Sequence, residues 1–146
     1  MSKLPTILIV DDDPMNLTMA KSILEMKVRA EILTTDSGAG CLNILNQRQG
    51  AIDLILLDIA MPVMDGLQTL TTIRQTPAWQ DMKVIFLTAA ADKNTIVRAS
   101  QLKITDYVKK PFVPEDLIAR VEKHIFPPIE DPEVNDIFKA LDNLGL

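Results

Sequence analysis

Leu54-Ile55-Leu56-Leu57-Asp58 carries four apolar residues straight into one acid. A short apolar run bounded by polar or turn residues reads as a strand buried on both faces. An acid at its end lies at a sheet edge, where the chain emerges toward solvent. Ile7-Leu8-Ile9-Val10 has the same form and ends in Asp11-Asp12-Asp13. Function turns on whether these two acid-tipped strands lie side by side.

Outward from these strands the chain alternates. Thr6–Val10 is the first strand. Asp13-Pro14 opens a helix to about Met26, with Asp13 as N-cap and Pro14 at the first helical position. Met15, Met19, Ala20, Ile23 and Leu24 recur at helical spacing and are expected to face the core, the methionines as core rather than interaction surface. Glu31–Thr35 is a second strand. A second helix runs to about Arg48 on an apolar stripe of Cys41, Leu42 and Leu45, and Gln49-Gly50 ends it, with Gly suited to a left-handed cap. Ile52–Leu57 is the third strand. Asp65-Gly66 opens a third helix with Leu67, Leu70 and Ile73 on one side. Lys83–Thr88 is a fourth strand, and Lys93–Gln101 a weaker helix whose thin apolar contribution is Ile96, Val97 and Leu102. Thr105–Lys109 is a fifth strand, and Pro114-Glu115-Asp116 starts a fifth helix with acids at its positive end. Beyond Pro127-Pro128, Asp131-Pro132 predicts a sixth helix with Val134, Ile137, Phe138 and Leu141 on one stripe, ended by Gly145. That stripe needs a cover: the domain itself, an output linker or a second copy.

Composition narrows the classes. The chain has 146 residues, 47% of them hydrophobic and 24% charged, which suits one soluble domain with a real core. A net charge of −5 without a basic stripe argues against direct nucleic-acid binding. One Cys and one His leave no internal disulfide and no Cys- or His-rich metal site. No apolar run reaches the roughly 18 residues of a membrane span, and the first residues lack a signal peptide's apolar core, so the expected compartment is the cytoplasm.

Five strand–helix units in alternation predict an α/β, doubly wound parallel sheet. The flavodoxin-like order 2-1-3-4-5 is the common solution, with strands 1 and 3 adjacent and a binding crevice at their carboxyl ends. Asp11, Asp12 and Asp58 then converge where strands are only about 4.8 Å apart. Carboxylates that close repel, so one is protonated or a cation sits among them. Oxygen-only ligands suit Mg²⁺. Thr88 and Lys109-Lys110 end strands 4 and 5 at the same edge. A hydroxyl and an ammonium beside such a metal make a phosphate-sized site in which a carboxylate is the natural nucleophile.

Four pieces of sequence carry a family resemblance: Ile7-Leu8-Ile9-Val10-Asp11-Asp12-Asp13-Pro14, Leu57-Asp58-Ile59-Ala60-Met61-Pro62-Val63-Met64-Asp65-Gly66, Phe86-Leu87-Thr88-Ala89, and Tyr107-Val108-Lys109-Lys110-Pro111-Phe112. In this order and at strand ends, they resemble the receiver domain of two-component response regulators, a CheY-like fold, from about Leu4 to Ile125. The resemblance implies a receiver domain over residues 4–126, followed by a linker and amphipathic helix over 127–146. It implies that Asp58 accepts a phosphoryl group from a phosphohistidine on a sensor histidine kinase or phosphotransfer domain. It makes Asp12 a direct Mg²⁺ ligand, Asp11 a ligand through water, and the Ala60 main-chain carbonyl a further ligand. Thr88 and Lys110 would contact the phosphoryl group, and Tyr107 would be the switch aromatic. Lys110, rather than Lys109, is chosen because it precedes Pro111, and the bond between them is expected to be cis. The surface of the fourth helix, fifth strand and fifth helix would then control an effector or output domain, and it or the sixth helix would form any homodimer contact. No membrane partner is implied. Two departures stand out: Ala60 lies where many receivers carry a larger polar side chain, and Lys103-Ile104 where small residues are usual.

Other residues carry plainer expectations. Asp13, Asp36 and Asp65 read as caps or turn residues, and Asp81, Asp92 and Asp106 as solvent-facing. Cys41 reads as core filler. His124 reads as a partner of the negative end of its helix. The alternative function is a Mg²⁺-dependent hydrolase with an aspartyl nucleophile, but such phosphatases place a second acid two residues on, where this chain has Ala60. A flavin-binding fold would want a phosphate-cradling loop where this chain has Asp11-Asp12-Asp13.

Overall fold

Strand parity decides which side chains meet. The computed structural model describes residues 4–89 and 93–125. It contains β1 (Thr6–Val10), α1 (Pro14–Lys27), β2 (Glu31–Thr35), α2 (Gly38–Gln47), β3 (Leu54–Asp58), α3 (Gly66–Gln75), β4 (Val84–Thr88), α4 (Lys93–Gln101), β5 (Asp106–Lys109) and α5 (Pro114–Ile125). The expected sixth helix and Asp92 lie outside the described residues. The strands form one parallel sheet in the order β2-β1-β3-β4-β5. The central strands β1, β3 and β4 are buried along their whole length, as their unbroken apolar runs require.

Side chains alternate across this sheet. Leu8, Val10, Ile55, Leu57, Val84 and Phe86 face one layer, where Cys41 and Leu45 of α2, Leu70 and Ile73 of α3, and Ala99 of α4 cover them. Ile7, Ile9, Leu54, Leu56, Leu87 and Val108 face the other, under Ala20 and Leu24 of α1 and Leu117 and Val121 of α5. Each fully buried Leu or Ile contributes about 1.5–3 kcal/mol relative to exposure. These two layers hold the sheet as a rigid platform for its carboxyl edge.

Caps fix the helix starts. Asp13 accepts the Met15 amide, Ser37 accepts the Gly40 amide, and Asp65 forms a reciprocal capping box with Gln68. So Asp13 and Asp65 are caps, and in the turn before α2 the capping residue is Ser37, with Asp36 in the bend that precedes it. At the end of α2 the capping position in left-handed conformation is taken by Gln49 (φ +52), and Gly50 (φ +75) comes next.

Three expectations are corrected. Met15, Met19 and Met26 do not fill the core: they are 74%, 44% and 76% exposed, because α1 meets the sheet through Ala20 and Leu24 instead. Ile96 and Val97 of α4 are also exposed, and Ala99 is the residue that helix buries. Asp106 is not a solvated acid. Its carboxylate accepts from Arg120 Nη1 at 2.6 Å and lies 3.1 Å from His124 Nε2, so His124 answers a side chain on β5 rather than its own helix end.

Candidate functional site

Register brings the two acid-tipped strands together. Val10 pairs with Leu57, so Asp11 and Asp58 stand side by side one step further on. They share the parity of Ile9 and Leu56, and Lys110 shares that of Val108, so all three lie on the α1/α5 side of the sheet. Lys110 Nζ lies 2.6 Å from Asp11 Oδ2 and 3.1 Å from Asp58 Oδ1. Asp11 is fully buried and Asp58 only 5% exposed. Carboxylate oxygens of Asp11, Asp12 and Asp58 all fall within 4.8 Å of one another.

The loop after β3 is held close. The Gly66 amide donates to the Ile59 carbonyl at 2.8 Å. A Cβ on Gly66 would lie 2.4 Å from the Asp58 carbonyl oxygen, so only glycine admits this approach. Val63 turns the loop with φ +68, and the Met64 amide donates across it to the Pro62 carbonyl. After β5 the Lys110–Pro111 bond is cis.

Charge in the cluster is unbalanced. The Asp58 carboxyl stands raised to about 6: burial is the largest cause, Lys110 works against it, and the Asp11 charge and a hydrogen bond with Asp12 add to the rise. Burial also works against the Lys110 ammonium, but the Asp11 and Asp58 carboxylates outweigh it and hold it charged. The Asp13 amide donates to Asp11 Oδ1 at 2.9 Å. Asp11 Oδ2 receives the Lys110 charge obliquely and has no well-aligned hydrogen bond among the described residues. A buried oxygen in that condition, with the carboxylate oxygens of Asp12 and Asp58 beside it, fits a hard divalent cation.

A cleft of about 610 Å³ opens above the cluster, lined by Asp11, Asp12, Asp58, Ala60, Thr88 and Lys110. Six residues expected in the site therefore share one cleft. Tyr107 does not: it is 42% exposed and sits on the α4 side of the sheet. There it lines a second, apolar hollow of about 280 Å³ with Ile59, Phe86, Ile96 and Ile104. Thr88 lines both hollows. Residues missed in the sequence also appear. Asn16 and Thr95 line the cleft, and Arg120 stands 6.0 Å from the Tyr107 ring centroid. Asn16 shows in the sequence only as the polar residue on the first turn after Pro14. Thr95 and Arg120 belong to pairings between distant segments.

The chain belongs to the response-regulator receiver family: the profile of the "Response regulator receiver domain" matches residues 7–122. It is 36% identical over 115 residues to the transcriptional regulatory protein CpxR of Escherichia coli (strain K12), covering 79% of this chain and 47% of that protein. It is 35% identical over 126 residues to the sensor protein GacS of Pseudomonas syringae pv. syringae, covering 82% of this chain and 13% of that one. A putative response regulator from Chloroflexus aurantiacus J-10-fl superposes with a TM-score of 0.77 at 28% identity, covering 84% of this chain and 98% of that one. The chain thus spans under half the length of these two curated relatives. No helix among the described residues is long and apolar enough to cross a membrane.

Proposed function

We propose that this receiver domain is a phosphorylation switch in which Asp58 is the acceptor. The observation that carries the reading is the buried Asp58 carboxylate, 3.1 Å from Lys110 Nζ and beside Asp11 and Asp12, at the floor of an open cleft. An Asp58 oxygen attacks phosphorus as the P–N bond to a donor histidine breaks, and the imidazole nitrogen leaves with the bonding pair. Lys110 is placed to neutralise charge on the arriving phosphoryl oxygens. Asp12, Asp11 and the Ala60 carbonyl would hold Mg²⁺, with Asp58 itself as a further ligand. When bound, that ion supplies positive charge against the same oxygens and offsets the mutual repulsion of the acids.

Thr88 would hydrogen-bond a phosphoryl oxygen. Because it also lines the apolar hollow beside Tyr107, its movement toward the cleft frees space for the ring, and the α4–β5–α5 surface changes. The donor is a sensor histidine kinase or phosphotransfer domain, and the readout an effector or output domain, with residues 4–126 as the receiver unit. The hydrolase alternative lacks its second acid, since Ala60 stands there.

Intact mass after incubation with acetyl phosphate and Mg²⁺ tests this reading. The wild type gains one labile phosphate, and Asp58→Asn gains none. Equal uptake by both, or by neither, contradicts it.

A further inference from the structure

Asp106 and Tyr107 are neighbours in sequence, so their side chains point to opposite faces of the sheet. Asp106 shares the parity of Val108, on the α1/α5 side, and Tyr107 pairs with Phe86, on the α4 side. Among the described residues β5 pairs only with β4, so its other side is an open edge. Arg120 of α5 reaches round that edge to both residues. Its Nη1 donates to Asp106 Oδ1 at 2.6 Å, and its Cζ stands 6.0 Å from the centroid of the Tyr107 ring.

A guanidinium on a long side chain must itself be restrained before it can restrain a ring. Two acids do this. Besides the bond to Asp106, Arg120 Nε donates to Asp116 Oδ1 at 2.9 Å, one turn earlier on α5. Asp106 is fixed in turn. Its Oδ1 also accepts the Tyr107 amide at 2.8 Å, and His124 Nε2 lies 3.1 Å from its Oδ2. Lys83 Nζ donates to the His124 carbonyl at 2.7 Å, which ties the end of α5 to the residue before β4. The planar fork of Arg120 is therefore set in place near the ring.

Against this hold stands an apolar pull. The Tyr107 ring is 42% exposed, yet it borders the hollow of about 280 Å³ lined by Ile59, Phe86, Ile96 and Ile104. Moving an aromatic ring out of water into such a space is favourable in proportion to the area covered. Arg120 does not line that hollow, so its attraction for the ring acts in the outward direction.

We propose that Arg120, anchored by Asp106 and Asp116, is a latch that holds Tyr107 outside the apolar hollow and so sets how readily the domain switches. The proposal rests on the switch reading given above, in which Thr88 and Tyr107 respond to the group on Asp58. Weakening the latch raises the population with the ring inward. Whatever favours that state must, by reciprocity, favour binding of the phosphoryl group or its mimic. One exposed cation–π contact shifts such a balance by about two- to fivefold.

The chain has one tyrosine, so 3-fluorotyrosine labelling gives a single ¹⁹F resonance, from position 107. The H₂O/D₂O isotope shift of that resonance reads ring exposure with no ligand added. Arg120→Gln should reduce it relative to wild type. Asp106→Asn, which keeps the guanidinium and loosens its anchor, should reduce it less. Titration with beryllofluoride and Mg²⁺, a noncovalent mimic of the phosphoryl group, follows on the same resonance. Arg120→Gln should bind about two- to fivefold more tightly than wild type, a gain that mere loosening of the fold would not produce. An isotope shift in Arg120→Gln equal to or above that of wild type overturns the latch, and one unchanged in Asp106→Asn removes Asp106 as its anchor. Reduced exposure without tighter binding overturns the coupling to Asp58. No binding by wild type or variant refutes the phosphoacceptor reading, while the isotope shift still judges the latch.

Discussion

Asp58 sits where folding alone would not place it. Its carboxyl is held at about 6, above the ordinary carboxylate value near 4, chiefly by burial, with Asp11 adding charge repulsion and Asp12 a hydrogen bond that favours the protonated form. The folded state therefore binds more protons than the unfolded state between these values, and stability falls as pH rises through that window. Above pH 6 the charged group costs the fold about 1–3 kcal/mol. In metal-free buffer Asp58→Asn should raise the denaturation midpoint at pH 7.5 by that much, and the gain should vanish below about pH 4. Adding Mg²⁺ should stabilise the wild type more than the variant, by mass action on the folded state. Urea titrations at the two pH values, with and without Mg²⁺, check both outcomes. Gly66 is the second residue on which the site depends. Gly66→Ala drives a Cβ into the Asp58 carbonyl, so it should cost about 2–3 kcal/mol and depress phosphate uptake, read by thermal melts and intact mass.

At the scale of elements, the departures in this sequence acquire physical form. Lys103 occupies the left-handed position (φ +56) closing α4, where the Ile104 amide donates to the Ala99 carbonyl and the Lys103 amide to that of Ser100. Glycine is the usual residue for that turn. Arg74 holds it from outside, donating to the Leu102 and Lys103 carbonyls. Lys103→Gly should therefore stabilise the domain by about 0.5–1 kcal/mol, since the αL strain is relieved and the backbone bonds to Arg74 persist. Chemical denaturation at neutral pH measures it. β5 and α5 are joined through Asp106. Burial works against its charge, but His124, the Tyr107 amide and Arg120 outweigh it and hold the carboxyl below the usual range. A depressed carboxyl adds stability above its unfolded value near 4 and loses it as pH falls further. Asp106→Asn should cost about 1 kcal/mol at pH 7, a figure reduced because Arg120 is partly solvent-exposed, and the difference should close below pH 4. Midpoints across a pH series check the sign.

Across the whole molecule, the sheet order and the cleft were legible because both stem from strong local patterns. Unbroken apolar runs ending in Asp11, Asp58 and Thr88, alternating with helices, have 2-1-3-4-5 as their common parallel arrangement, and that arrangement brings the acids together. Side-chain partners between distant segments were not legible. Asp106 and His124 are 18 residues apart, and nothing local distinguishes Asp106 from a solvated acid until β5 and α5 pack. Helical periodicity misplaced Met15 and Met19 for a related reason. It finds apolar residues on a helix but does not say that Ala20 and Leu24 suffice to seat α1 on the sheet. The same geometry keeps the two hollows apart. Asp11, Asp58 and Lys110 lie on the α1/α5 side, Tyr107 on the α4 side, and Thr88 at the boundary borders both hollows.

The most direct test locates the phosphoryl group itself. The full chain is treated with acetyl phosphate and Mg²⁺, reduced with borohydride, which converts an aspartyl phosphate to homoserine, and mapped by peptide mass spectrometry. Reduction at Asp58 alone, dependent on Mg²⁺ and lost in Lys110→Ala, is the predicted result. Reduction at Asp11 or Asp12, or none at any aspartate, would contradict the account.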